Sequence, residues 1–192
     1  MGLQLVTAPA VEPLSTDEAK LHLEVQNSDR DGYIDSLVKS AREYCEQYTG
    51  RALINQTWRL YIDEFPSEIR LPMPPFSSLT HLRYVNTSGT LTTMVADTDY
   101  TVSAYLEPAR VVPAYGTDWP TARSAVDVVQ ATYVAGYGAT AASVPEPIRQ
   151  ACRLLIGHWF ENRETIVVGT ISATLDFTVK ALLEPYRVWE YR

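Results

Sequence analysis

The chain has 192 residues, 46% of them hydrophobic, and a formal net charge of −7 from 23 acidic and 16 basic side chains. That length fits one domain, or one domain carrying a large insertion, and the composition is globular. The acidic balance argues against a protein that grips nucleic-acid phosphates or an anionic membrane surface.

The N-terminal stretch MGLQLVTAPAVEP has neither a basic start nor the apolar run of a signal peptide. Gly2 does not make a myristoylation site, because Val6 stands where Ser or Thr is wanted. Nowhere is an apolar run long enough to span a bilayer, so the expectation is an intracellular soluble protein. Residues 1–13 read as a loose lead punctuated by proline.

Ser15 and Glu18 form a capping box for a short helix ending near Val25 to Asn27, with Asp17 at its positive end. A second helix follows, capped by Ser28 or Asp29 and stopped by Gly50. It places Ile34, Leu37, Val38, Ala41, Cys45 and Tyr48 on one face. Asp29-Arg30-Asp31-Gly32 is not a calcium loop, since the third acidic position and the terminal glutamate are missing.

After Gly50 the apolar period changes from helical to alternating. Trp58 to Asp63, Leu79 to Val85, Leu91 to Val95, Tyr100 to Tyr105, Arg110 to Val112 and Val126 to Val134 read as strands with turns between them. Pro72, Pro74 and Pro75 break any continuous ladder after Ile69. Gly136-Tyr137-Gly138 lacks the third glycine and the βαβ setting of a dinucleotide fingerprint.

The best helix is VPEPIRQACRLLIGHWFENRET, residues 144–165. Pro145 and Pro147 suit its approach and first turn, and Ile148, Cys152, Leu155 and Trp159 recur at helical spacing. Gly157 within it suggests close approach of a neighbour. IVVGTISATLDF, residues 166–177, reads as a loop or hairpin, and Ala181 to Glu184 as a short helix interrupted by Pro185. The expected class is therefore α+β: a helical bundle of N- and C-terminal helices (residues 1–56 and 137–192) with residues 57–136 inserted as a small antiparallel β unit.

Chemistry is scarce. His22, His81 and His158 are dispersed, with no partner at ligand spacing, so no metal, cofactor or catalytic residue is assigned. Asp63-Glu64, Asp97, Asp99 and Asp118 read as solvated turn residues, and Cys45 and Cys152 as buried free thiols. Twelve tyrosines and four tryptophans against four phenylalanines suit half-wet interfaces. Trp119 and the tail Tyr186, Trp189 and Tyr191 are the pointed cases, and a tail with Leu183, Tyr186, Val188 and Trp189 has too much anchor material to hang free, so it either folds back on its own core or serves as an anchor. Two other functions fit the composition: an aromatic-rich module binding a ligand or carbohydrate, and a hydrolase with carboxylates from separate loops.

The ordered set LSTDEAKLHL, YCEQYTGRAL, QTWRLYIDEFP, IRLPMPPFSSLTHLRYVN, DYTV, VVQATYVAGYG, VPEPIRQACRLLIGHWFENRE and LLEPYRVW resembles the head–tail connector (adaptor, or head-completion) proteins of long-tailed bacteriophages and gene-transfer particles. The resemblance implies a structural virion protein rather than an enzyme, assembled in the bacterial host cytoplasm and located at the neck. It implies a ring of twelve subunits beneath the portal protein, compatible with a monomer in isolation. That ring would extend the DNA channel, letting duplex DNA pass without sequence-specific binding, and offer a platform to stopper and tail-completion proteins. Carried onto this sequence, the portal-docking role falls on Leu183, Tyr186, Val188 and Trp189. No membrane partner is implied.

Overall fold

The computed structural model describes residues 1–162 and 173–189. The chain is α+β and divides into two compact units, Met1–Ala10 with Asn55–Tyr137 and Val11–Ile54 with Gly138–Arg192.

The first unit holds eight strands: β1 (Gly2–Thr7), β2 (Gln56–Ile62), β3 (Ile69–Leu71), β4 (Phe76–Val85), β5 (Leu91–Thr93), β6 (Tyr100–Ser103), β7 (Ala109–Pro113) and β8 (Val129–Ala135). They form a five-stranded sheet in the order β1-β2-β8-β4-β5 and a three-stranded sheet in the order β3-β7-β6. Every strand pairing is antiparallel. Alternation along β8 sets the core: Val129, Ala131, Tyr133 and Ala135 are buried, and Ala131 sits in register with the buried Leu60 of β2 and Leu82 of β4. The Tyr133 hydroxyl is not left unpaired; it donates to the Pro72 carbonyl at 2.8 Å.

Two features of this unit depart from the sequence reading. The lead expected to be loose contains β1, which pairs with β2 from Gly2 opposite Tyr61 to Thr7 opposite Thr57, so residues 1–10 belong with the strands and not with the helices. All six residues of β1 are exposed, as an edge strand allows, so burial patterning could not announce it. The strand expected from Val126 begins only at Val129, because Asp127 takes a left-handed turn conformation (φ 57°) and Val126 stays in solvent.

The second unit is built from α1 (Thr16–His22), α2 (Asp31–Thr49), α3 (Glu146–Glu161) and α4 (Ala173–Leu183). The capping box of α1 is formed in full, Ser15 accepting from the Glu18 amide and Glu18 from the Ser15 amide. The Ser15 amide and Arg149 hold the Glu18 carboxyl below its usual range against the opposing effect of burial. This helix ends at His22, earlier than expected. α2 starts at Asp31 with no side-chain cap; Asp31 instead pairs with Lys20 at 2.8 Å. Gly50 ends α2 at φ 69°, the left-handed position where glycine carries no Cβ penalty.

α2 packs on α3, and both contact α1 and α4. Buried Ile34, Leu37, Val38, Ala41 and Cys45 on α2 face the buried Ile148, Ala151, Cys152, Leu155 and Ile156 stripe of α3. The two cysteines meet in this seam as free thiols, sulfur to sulfur 3.6 Å. One polar cluster is enclosed: Arg42 reaches Glu46 at 2.6 Å and Glu12 at 2.7 Å, while the other Glu46 oxygen accepts from the Leu53 amide. A buried guanidinium is tolerable only with such full pairing.

The stretch read as a loop or hairpin is helical in its described part, since α4 starts at Ala173 and runs through Leu183; residues 163–172 lie outside the described residues, as do the last three predicted for the preceding helix. Val179 and Leu183, one turn apart, are buried, and Asp176 pairs with Lys180 on the wet side at 2.7 Å.

Gly157 does mark a close approach: a Cβ built there would lie 3.4 Å from His22 Nε2. That is contact and not overlap, so Gly157→Ala should stabilise the protein by up to about 1 kcal/mol through helix propensity. Gly157→Leu should destabilise it by displacing His22, both read from urea midpoints.

Burial holds the Tyr133 phenol well above its ordinary range. The folded chain therefore keeps a proton that the unfolded chain releases near pH 10, so stability present below about pH 10 falls as pH rises above it. Tyr133→Phe should flatten part of that decline in urea melts, at a cost of about 1 kcal/mol near neutrality for the lost hydrogen bond.

Candidate functional site

Helix α2 ends with carbonyls that no further turn can satisfy, and the chain's C-terminal segment supplies what they need. After α4 the chain makes one 3₁₀ turn, Glu184–Tyr186, then runs extended through Arg187, whose φ is −67° and ψ 131°. The Val188 amide donates to the Thr49 carbonyl at 2.8 Å. The Tyr48 hydroxyl donates to Glu184 Oε2 at 2.6 Å, a bond that raises the Tyr48 phenol above its ordinary value. The Arg51 side chain donates to the Tyr186 carbonyl. The Arg187 guanidinium lies over two rings, 5.5 Å from the centre of Tyr48 and 4.6 Å from that of Trp189.

The four residues expected to dock a partner thus have different surroundings. Leu183 is fully buried and presents no surface. Tyr186 and Val188 are half-buried against the end of α2, the Val188 side chain lying beside Gly50. Trp189 is 59% exposed. Sequence reasoning missed the residues that hold this segment, namely Tyr48, Thr49, Arg51, Glu184 and Arg187. Only the acid–base pair in Glu184-Pro185-Tyr186-Arg187 hinted at them.

Elsewhere the chemistry stays thin. Among the described residues no cluster of three or more His, Cys, Asp or Glu could hold a metal ion, and no helix is long and apolar enough to cross a membrane. Trp119 turns its face to Phe65, ring centres 4.8 Å apart and nearly parallel, so that ring face is not free to stack on a sugar.

Residues 14–79 match the family described as phage gp6-like head-tail connector protein. They span α1, α2, β2, β3 and the start of β4. The chain resembles the head–tail connector family. Solved structures extend the likeness to the whole chain. One is a chain in the neck of an empty gene transfer agent particle computed with C6 symmetry: TM-score 0.83, 26% identity, covering 100% of this chain and 98% of that one. A second, in the virion of a native gene transfer agent particle, gives a TM-score of 0.80 at 25% identity with the same coverage. A third, in the neck of a native particle computed with C12 symmetry, gives 0.80 at 26%, again over 100% and 98%. No curated protein matches the sequence.

If the end of α2 holds the C-terminal segment, one backbone donor should matter. Arg187 already has the extended backbone that a following proline requires, so Val188→Pro removes little besides the donor to Thr49. It should cost about 1 kcal/mol and speed hydrogen exchange at the Arg187 amide, which donates to the Glu184 carbonyl, whereas Val188→Ala, which keeps the donor to Thr49, should leave that exchange nearly unchanged.

Proposed function

We propose that this chain is a structural subunit of the head–tail junction, forming a ring beneath the portal protein of a phage or gene-transfer particle. The observation that carries this reading is the end-to-end likeness to neck chains, over 100% of this chain and 98% of theirs. The match of residues 14–79 to the connector family supports it independently. In this reading the four helices form the bundle of the subunit, and β2 to β8, inserted between α2 and α3, form with the N-terminal β1 a separate module. Twelve copies close the ring, which extends the DNA channel and gives stopper and tail-completion proteins their platform. Assembly takes place in the host cytoplasm. The subunit catalyses nothing.

The physics suits that role. Twelve-fold closure needs two different patches on each subunit, and no symmetry of the single chain is required. Net acidity would keep duplex DNA from sticking to the channel wall. Docking onto the portal falls to the C-terminal segment, where Trp189 offers the exposed ring. Tyr186 and Val188 set its position, and Leu183 anchors the segment from inside.

Co-purification with the portal protein tests this. Trp189→Ala should leave the fold intact and weaken portal binding by about 2 kcal/mol or more, the scale of a tryptophan hot spot. Leu183→Ala should instead destabilise the chain by about 2–5 kcal/mol through an internal cavity. Full-strength portal binding by Trp189→Ala would remove the docking role from the tail.

A further inference from the structure

The outward side of the five-stranded sheet carries a cationic stripe that its own chain does not neutralise. Strand register defines two adjacent rows on the side opposite the buried Leu60–Ala131–Leu82 row. One runs Gly2, Tyr61, Gln130, Arg83, Thr93, and the other Gln4, Arg59, Thr132, His81, with Thr132 itself buried beneath its neighbours. Neither row contains a carboxylate, in a chain with 23 of them. Several arginines are paired, Arg42 with Glu46, Arg110 and Arg70 with Glu68, Arg149 and Arg153 with Glu146, while among the described residues Arg30 and Arg123 have no ion pair. Among the described residues Arg59 and Arg83 form no ion pair. Arg59 is held in place by hydrogen bonds to Thr132 Oγ1 at 3.1 Å and the Tyr61 hydroxyl at 3.4 Å, and Tyr61 in turn donates to Gln4. Arg83 Nε is buried without a hydrogen-bond partner. Burial, then Arg83 and Arg59, hold His81 below its ordinary pKa. Arg59 on β2 and Arg83 on β4 thus stand on the same side of the sheet, both half-buried, on either side of β8.

We infer that the Arg59–His81–Arg83 face is a docking surface for a short acidic segment of a partner protein. Guanidiniums pair bidentately with carboxylates, and the surrounding Tyr61, Thr93, Gln4 and Gln130 supply neutral donors and acceptors at the rim. Duplex DNA fits less well. Affinity for duplex DNA comes from neutralising many phosphates, and here two arginines and one histidine stand on a chain of net charge −7. This inference does not rest on the connector reading, since it concerns local charge and would hold for any function of the helical unit.

The test uses the full chain and a fluorescent oligoglutamate peptide, followed by anisotropy. Binding should be measurable at about 0.01 M salt and lost toward about 1 M, as the screening length falls from about 30 Å to about 3 Å. Arg59→Glu with Arg83→Glu should weaken it tenfold or more, roughly the penalty of like charges at a contact. The milder Arg59→Gln with Arg83→Gln, which keeps polar groups for Thr132 and Tyr61, should weaken it with an unchanged melting temperature. The His81 ring resonances should shift on titration. Salt-sensitive self-association that disappears in the same variants would support the surface and name a second copy as the partner. Absence of peptide binding, or equal binding by the double Glu variant, would overturn the inference. So would tighter binding of a short DNA duplex through the same two arginines.

Discussion

The seam between α2 and α3 is the constraint on which the helical unit depends. Cys45 and Cys152 are 107 positions apart in sequence and 3.6 Å apart in space. Closing so long a loop as free coil would cost about 4 kcal/mol beyond a constant. The strands between reduce that burden, because the first residue of β2, Gln56, pairs with the last of β8, Ala135. The excursion therefore leaves and returns at one place. Once β2 and β8 are zipped, α2 and α3 are joined by short connections, and their apolar stripes meet at the cost of a short loop.

That seam also determines what the C-terminal segment can do. α4 lays Val179 and Leu183 into the same helical core, and the turn after it brings the tail to the open end of α2. There the Val188 amide, the Tyr48 hydroxyl and Arg51 hold it. The segment thus caps the end of α2 and carries an exposed tryptophan, Trp189, just beyond the capping residue. The sheet unit makes a different kind of surface, with polar rows outward and a dry row inward.

Much of this architecture was legible from residue order alone, for physical reasons. The α3 stripe, the capping box at Ser15, the Gly50 stop and the alternation in β8 are local signals, each written within a few residues. What escaped was decided by distant partners. β1 is an edge strand with no buried side, so Leu3 and Leu5 looked like part of a loose lead. α4 follows a run rich in β-branched residues and glycine, and its helical period became visible only where Val179 and Leu183 meet the other helices. The four residues expected to dock a partner were picked from their apolar and aromatic character alone. Their division into one buried, two half-buried and one exposed side chain depended on Tyr48, Thr49 and Arg51, over a hundred residues upstream.

The most direct measurement is electron microscopy of the chain co-purified with a portal protein, averaged without imposed symmetry. The account predicts a closed ring with one subunit per repeat and the C-terminal segment at the portal face. Subunits scattered without rotational order, or a ring whose C-terminal segments face away from the portal, would contradict it.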